Sequence, residues 1–250
     1  IFNKAFGPKH PRVGNILNNL GVLYQKQGRY ADAELFYQLS LVIFKKAVGP
    51  QHPAVAELLN DLGVLYWELG RYVGALEQFR IGTHILRQRF TGRDTNESKG
   101  LSSEQHGARW SFIGHIDIAL HSEQVGDRFE LESEAFEVLQ LARASSAANA
   151  MAQMAVRFAS GDNEIATLVR AQQDALAYYA KLDEDLTKTL GQPTDQQDSQ
   201  RLGIIRREIG VTEQRLRELQ ATIEKAFPQY ATLVSREPLS LEDTQTLLGP

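Results

Sequence analysis

The chain repeats itself at an offset of 42 residues. Gly7-Pro8-Lys9-His10-Pro11 returns as Gly49-Pro50-Gln51-His52-Pro53. Leu17-Asn18-Asn19-Leu20-Gly21-Val22-Leu23-Tyr24 returns as Leu59-Asn60-Asp61-Leu62-Gly63-Val64-Leu65-Tyr66, and Gly28-Arg29-Tyr30 as Gly70-Arg71-Tyr72. Between residues 7–46 and 49–88, 17 of 40 ungapped positions are identical. A unit of this size cannot bury its own apolar flank and needs a neighbour stacked against it. That requirement excludes most ordinary single-core folds for this part of the chain.

Each unit reads as a helix hairpin. Pro11 and Pro53 stand where a first helical turn tolerates proline. Leu17, Leu20 and Tyr24 recur at helical spacing, as do Leu59, Leu62 and Tyr66. Gly28 and Gly70 are placed to end the first helix in a left-handed conformation, and second helices start near Ala31 and Val73. Gly21 and Gly63 are expected to face Ala33 and Ala75 within each hairpin. Ile1-Phe2-Asn3-Lys4-Ala5-Phe6 matches Ile43-Phe44-Lys45-Lys46-Ala47-Val48, so residues 1–6 are expected to close an earlier repeat.

These residues resemble tetratricopeptide repeats of the 42-residue kind found in kinesin light chains and many bacterial proteins. The resemblance covers residues 1–90, with full repeats at 7–48 and 49–90. It implies an all-α solenoid whose first helices line a concave groove for a protein or peptide ligand. Asn15, Asn18, Val22 and Gln25 then face the groove in one repeat, and Glu57, Asn60, Val64 and Trp67 in the next. A carboxamide can hold the backbone of an extended peptide without reading its sequence, and Trp67 offers an amphipathic anchor. Asn18 and Asn60 can equally bond neighbouring helices, and Asn19 and Asp61 are expected to bridge to the next one.

Composition narrows the function classes. A net charge of -4 argues against nucleic acid as partner. No cysteine is present, which removes disulfides, thiolate metal sites and a cysteine nucleophile, and fits a cytoplasmic, reducing setting. No apolar run approaches the roughly 20 residues of a membrane span. His10 and His52 belong to the repeated loop motif. His115 and His121 are six apart, not at the i, i+4 spacing of a zinc helix, and His84 and His106 have no partner in sequence. Neither a metal nor a cofactor is expected. Ser145-Ser146 sits among alanines without a Lys or His at catalytic spacing, so packing is the expected role.

Residues 91–107, rich in Gly, Ser, Asn, Asp and Thr, read as a loop. Helical spacing resumes at Trp110, Ile113, Ile116, Ile118 and Leu120. Gly126-Asp127 marks a turn, and a long helix is expected from Phe129 to Ala159 with Phe136, Leu139 and Arg143 on one face. Residues 108–160 then extend the solenoid as a helical hairpin. Residues 164–190 and 199–226 each carry a heptad, and one antiparallel register, in which paired residue numbers sum to 391, satisfies both. Leu186 meets Ile205, Leu182 meets Ile209, Tyr179 meets Thr212 and Leu168 meets Ile223. The expectation is an antiparallel coiled-coil hairpin over 161–228, about 40 Å long at 1.5 Å per residue, with Gln172 opposite Leu219 as its imperfect layer. Arg206, Arg207, Arg215 and Arg217 alternate with Glu208, Glu213 and Glu218 as a solvated surface.

A second resemblance spans residues 130–250. Ala135-Phe136-Glu137-Val138-Leu139-Gln140-Leu141-Ala142-Arg143, Ala152-Gln153-Met154, Phe227-Pro228-Gln229-Tyr230 and Pro238-Leu239-Ser240-Leu241 resemble the helical segment linking tetratricopeptide repeats to a CHAT domain in bacterial proteins. CHAT domains are caspase-like peptidases. The resemblance implies that 229–250 is a linker to a downstream peptidase domain in cis. With no cysteine, no catalytic residue carries over to this chain. Three functions stand side by side: a binding scaffold, the non-catalytic part of a caspase-like peptidase, and a self-association module built on the hairpin.

Overall fold

The computed structural model describes residues 10–91, 98–121, 126–142, 163–228 and 238–248. These are all-helical: α1 (Pro11–Lys26), α2 (Tyr30–Val48), α3 (Pro53–Glu68), α4 (Tyr72–Thr91), α5 (Ser98–His121), α6 (Arg128–Ala142), α7 (Asn163–Leu190), a 3-10 turn (Thr194–Gln196), α8 (Ser199–Ala226) and α9 (Leu241–Leu248). They fall into two units. One holds residues 1–90, 99–143 and 238–250; the other holds 91–98 and 144–237.

The repeated motif sets the helix ends in the first unit. His10 and His52 are N-caps: the Nδ1 of His10 accepts from the backbone N–H of Arg12 at 3.0 Å, and that of His52 from Ala54 at 3.2 Å. Pro11 and Pro53 follow in the first turn, where no helical N–H is lost. At the other end Gly28 and Gly70 take φ of +72° and +71°. The N–H groups of Gly28 and Arg29 then reach the carbonyls of Gln25 and Tyr24, both at 2.9 Å. This is the Schellman arrangement, and Gly70 and Arg71 repeat it on Trp67 and Tyr66.

Ala33 and Ala75 are buried, but the space beside Gly21 and Gly63 is filled one turn further on. A Cβ on Gly21 would lie 2.6 Å from the Tyr37 ring, and one on Gly63 would lie 3.0 Å from the Phe79 ring. The hairpins therefore close by seating an aromatic on a glycine, not by opposing two small residues. The Phe79 ring also meets Gly114 of α5, where an added Cβ would lie at 2.7 Å. One apolar core joins Phe44, Val55, Leu58, Leu59, Ile85, Leu86, Phe112 and Val138, so α2 through α6 share it. Polar ties reinforce the stack: the Tyr66 hydroxyl and Arg71 both reach Glu34 of α2, at 2.9 and 3.0 Å.

The region after residue 91 departs from expectation in four places. The loop expected over 91–107 gives way to helix at Ser98, because the breakers cluster in Thr91–Asn96 while Leu101, Glu104 and Gln105 favour helix. In α5 the buried stripe is Ala108, Phe112, His115, Ile118 and Ala119, whereas Trp110, Ile113 and Leu120 are exposed. In α6 it is Leu131, Ala135 and Val138; Phe136 is half-buried and Leu139 exposed. The helix expected to run to Ala159 is described as far as Ala142, and Arg143, Ser145, Ser146 and Met154 lie outside the described residues.

The fourth departure concerns the tail. The linker expected over 229–250 contains α9, which packs against α6. The amide of Gln140 donates to the Leu239 carbonyl at 2.8 Å and accepts from its N–H at 3.0 Å. Ser240 caps α9, its Oγ accepting from the N–H of Asp243 at 2.9 Å and donating to that carboxylate at 2.6 Å.

The second unit is a long antiparallel helical hairpin of α7 and α8. Of the heptad positions, Ile165, Ala175, Leu182, Leu186 and Thr189 are buried on α7, and Leu202, Ile205, Thr212 and Ile223 on α8, while Leu168, Ile209, Leu216 and Leu219 are half-buried; Val169, Leu176 and Leu190, outside the assigned seam, are buried as well. Ala226, at the end of the assigned seam, is exposed. Asp198 caps α8 through bonds from the N–H groups of Gln200 and Arg201 at 2.9 and 3.0 Å. Gln172 bonds Gln220 at 2.8 Å near the surface, so the imperfect layer sits against water. Tyr179 reaches Glu213 at 3.3 Å.

Candidate functional site

The surface expected to bind a partner is carried by α1 and α3. On α1, Asn15 is exposed and Asn18, Val22 and Gln25 are half-buried; on α3, Glu57 and Val64 are exposed and Trp67 is half-buried. Asn60 stands apart. It is 9% exposed, and its Nδ2 bonds the hydroxyl of Ser111 on α5. The reason is positional: α5 covers the flank of α3 that α3 covers on α1, so the asparagine of the second repeat is sealed by a third helix pair. Asn60 bridges neighbouring helices instead of lining an accessible face. Trp67 packs on the cluster of Leu76, Phe79, Ile118 and Leu131, which holds its indole in place.

Asn18 is also tied down, but at the surface. Its Nδ2 donates to Asp61 Oδ2 at 3.0 Å, linking α1 to α3. Its Oδ1 is buried without a hydrogen-bond partner. Burial raises the Asp61 carboxyl above its ordinary value, and the bond from Asn18 offsets only part of that. Beside it the Tyr37 hydroxyl donates to Gln25 Oε1 at 2.7 Å. Burial and the nearby Asp61 and Glu68 carboxylates push the Tyr37 phenol well above its usual range. Asn18, Gln25, Tyr37, Asp61 and Glu68 thus gather on one side of the first two hairpins.

Residues 1–46 and 15–80 match the tetratricopeptide repeat family model. The N-terminal segment is a tetratricopeptide repeat array. None of the curated proteins compared with it matches the chain. The tetratricopeptide match is confined to residues 1–80, and it brings with it partners that are proteins. Trp110, Ile113 and Leu120 of α5 lie beyond the matched segment and expose apolar area close to the array's own core.

Sequence reasoning passed over one cluster in the first unit. His115 is buried, with Nε2 2.9 Å from Glu134 Oε1 and Nδ1 3.0 Å from Thr83 Oγ1. A carboxylate only accepts, so Nε2 donates to Glu134 and Nδ1 accepts from the threonine hydroxyl. Arg80 donates to both oxygens of Glu134, at 2.8 and 2.6 Å. Burial would raise the Glu134 carboxyl, but Arg80 and His115 together outweigh it and hold it at about 2. These groups, with His84, Arg87 and Glu137, line a cleft of about 220 Å³ between α4, α5 and α6. The available signal was the burial pattern: His115 lies between Phe112 and Ile118 on the apolar stripe of α5, so a buried partner was required. The chemistry is that of a clamp, because every charged group at its centre already has an opposite neighbour.

Among the described residues no group of His, Asp or Glu is arranged to hold a metal ion, and no helix is long and apolar enough to cross a membrane.

Proposed function

We propose that the chain is a protein-protein interaction scaffold that takes a peptide segment of a partner across the exposed face of α1 and α3. The observation that carries this reading is the exposure of Asn15 and Val64 on a repeat face whose supporting residues are locked in place. The tetratricopeptide match supports a protein partner. On this reading the chain binds and does not catalyse. Peptides selected from an array by the full chain should lose binding on Val64→Arg while the thermal melt is unchanged, since Val64 is 38% exposed. Retained binding by that variant would remove the α1–α3 face from the proposal.

A finer reading rests on sequence resemblance alone. The segments at 135–146, 152–158, 227–230 and 238–241 support placement of this chain beside a caspase-like CHAT peptidase, for which the repeats recruit. A reading frame that stops directly after Pro250 would remove it. The self-association alternative rests on the α7–α8 hairpin as a coiled coil, and sedimentation of the full chain separates monomer from dimer.

A further inference from the structure

We propose that the outer flank of α6 is a docking site for a helical peptide, held in this chain by residues 238–248 as a displaceable plug. A partner segment of the same form takes the plug's place: one extended residue running into a serine-capped amphipathic helix. The site uses α6 rather than α1 and α3, and it stands whether or not that face binds.

The flank is one that the helix stack itself uses. α4 and α6 are second helices of successive pairs. An offset of 56 residues lays the buried Ala75, Phe79 and Gly82 of α4 on the buried Leu131, Ala135 and Val138 of α6. The same offset carries Arg80, Thr83 and His84 onto Phe136, Leu139 and Gln140. On α4 these three positions line the cleft beside α6, and Thr83 is 5% exposed. On α6 they make a largely apolar seat whose Leu139 is 39% exposed. The positions that seat one helix on α4 therefore recur on α6.

What sits there is α9 with the residues before it, and its grip is on backbone. The Gln140 amide meets both the carbonyl and the N–H of Leu239, while the Leu239 side chain is 47% exposed. A carboxamide matched to both main-chain groups of one residue holds extended peptide without reading its side chain. Beyond it the chain turns helical at Ser240, whose carbonyl accepts from Thr244 Oγ1 at 2.9 Å. Leu241 and Thr244 are half-buried, whereas Glu242, Asp243, Gln245 and Thr246 are exposed, so α9 turns one shallow stripe inward. None of residues 238–246 is buried. A helix of eight residues does not persist by itself in water. The dock therefore hangs on Gln140 and that stripe, and local opening frees both bonding groups of the amide at once.

The test uses the full chain and a fluorescent peptide with the sequence of residues 238–248. In the parent the plug competes, and the peptide binds weakly. Leu239→Pro in the chain removes the N–H that meets Gln140 and empties the seat, so peptide affinity should rise about tenfold. Adding Gln140→Leu to that variant should erase the gain, and adding Val64→Arg should leave it intact. Hydrogen exchange should show α9 released by Leu239→Pro while α4 and α6 stay protected, and circular dichroism checks that the helices of each variant persist. Equal affinity of the parent and the Leu239→Pro chain would overturn the plug. A gain that survives Gln140→Leu, or failure of the Leu239→Pro chain to bind the peptide, would overturn the docking site.

Discussion

The Arg80–Glu134–His115–Thr83 clamp makes a quantitative claim about acid. Glu134 titrates at about 2 in the fold against an ordinary value of 4.5. A lowered folded-state pKa means that the stabilisation is fully present above 4.5 and is lost as pH falls from there towards 2. The full shift corresponds to about 3 kcal/mol at 1.36 kcal/mol per unit. The Glu134 side chain is 23% exposed and Arg80 is 52% exposed, so solvent screening reduces this to about 2 kcal/mol. The perturbation is Glu134→Gln, which keeps the size and removes the charge. Thermal melts followed by circular dichroism at pH 7 should place the variant roughly 4–8 °C below the parent. Near pH 2 the two melts should converge, because the parent has lost the same charge. A gap that stays constant from pH 7 to pH 2 would refute the electrostatic account and leave only packing. No gap at pH 7 would refute the clamp itself.

Two glycines test the packing arguments in opposite directions. Gly114→Ala places a methyl 2.7 Å from the Phe79 ring and should cost about 1–3 kcal/mol in urea unfolding; Gly203→Ala, with no neighbour within 4 Å, should stabilise α8 by about 0.5–1 kcal/mol. Leu186 is 1% exposed in the hairpin seam, so Leu186→Ala should cost about 2–5 kcal/mol. Hydrogen exchange should register that loss along α7 and α8.

The repeats and the hairpin were legible in the sequence because both are local and periodic. The offset of 42 placed four helices, and the Gly ends of α1 and α3, within a residue or two, whereas the capping role of His10 and His52 came from the structure. The heptads of α7 and α8 gave part of their buried seam, because each helix has one principal neighbour in that unit, but missed Val169, Leu176 and Leu190, which are buried beside it. The third helix pair was harder. His115 and Ser111 lie in the core of α5 while Trp110 stays outside, an inversion of side-chain polarity that hydrophobic spacing cannot read. What decides it is the chemistry of Thr83, Glu134 and Asn60, from other helices. The same applies to the binding face. The carboxamides stood out in the repeat, but which of them would be sealed depended on what α5 covered. The docked α9 carried a readable sign in Ser240-Leu241-Glu242-Asp243, an N-terminal cap signature two residues after Pro238.

The Phe79 ring, seated on Gly63 from one side and Gly114 from the other, has a consequence for how the array comes apart. Its seat on Gly63 lies within its own hairpin, and its contact with Gly114 reaches across to the next. Parting the second helix pair from the third therefore empties the Gly114 side alone. The second hairpin should keep its own closure when the array opens at that joint, with one edge of a benzene ring newly bared to water.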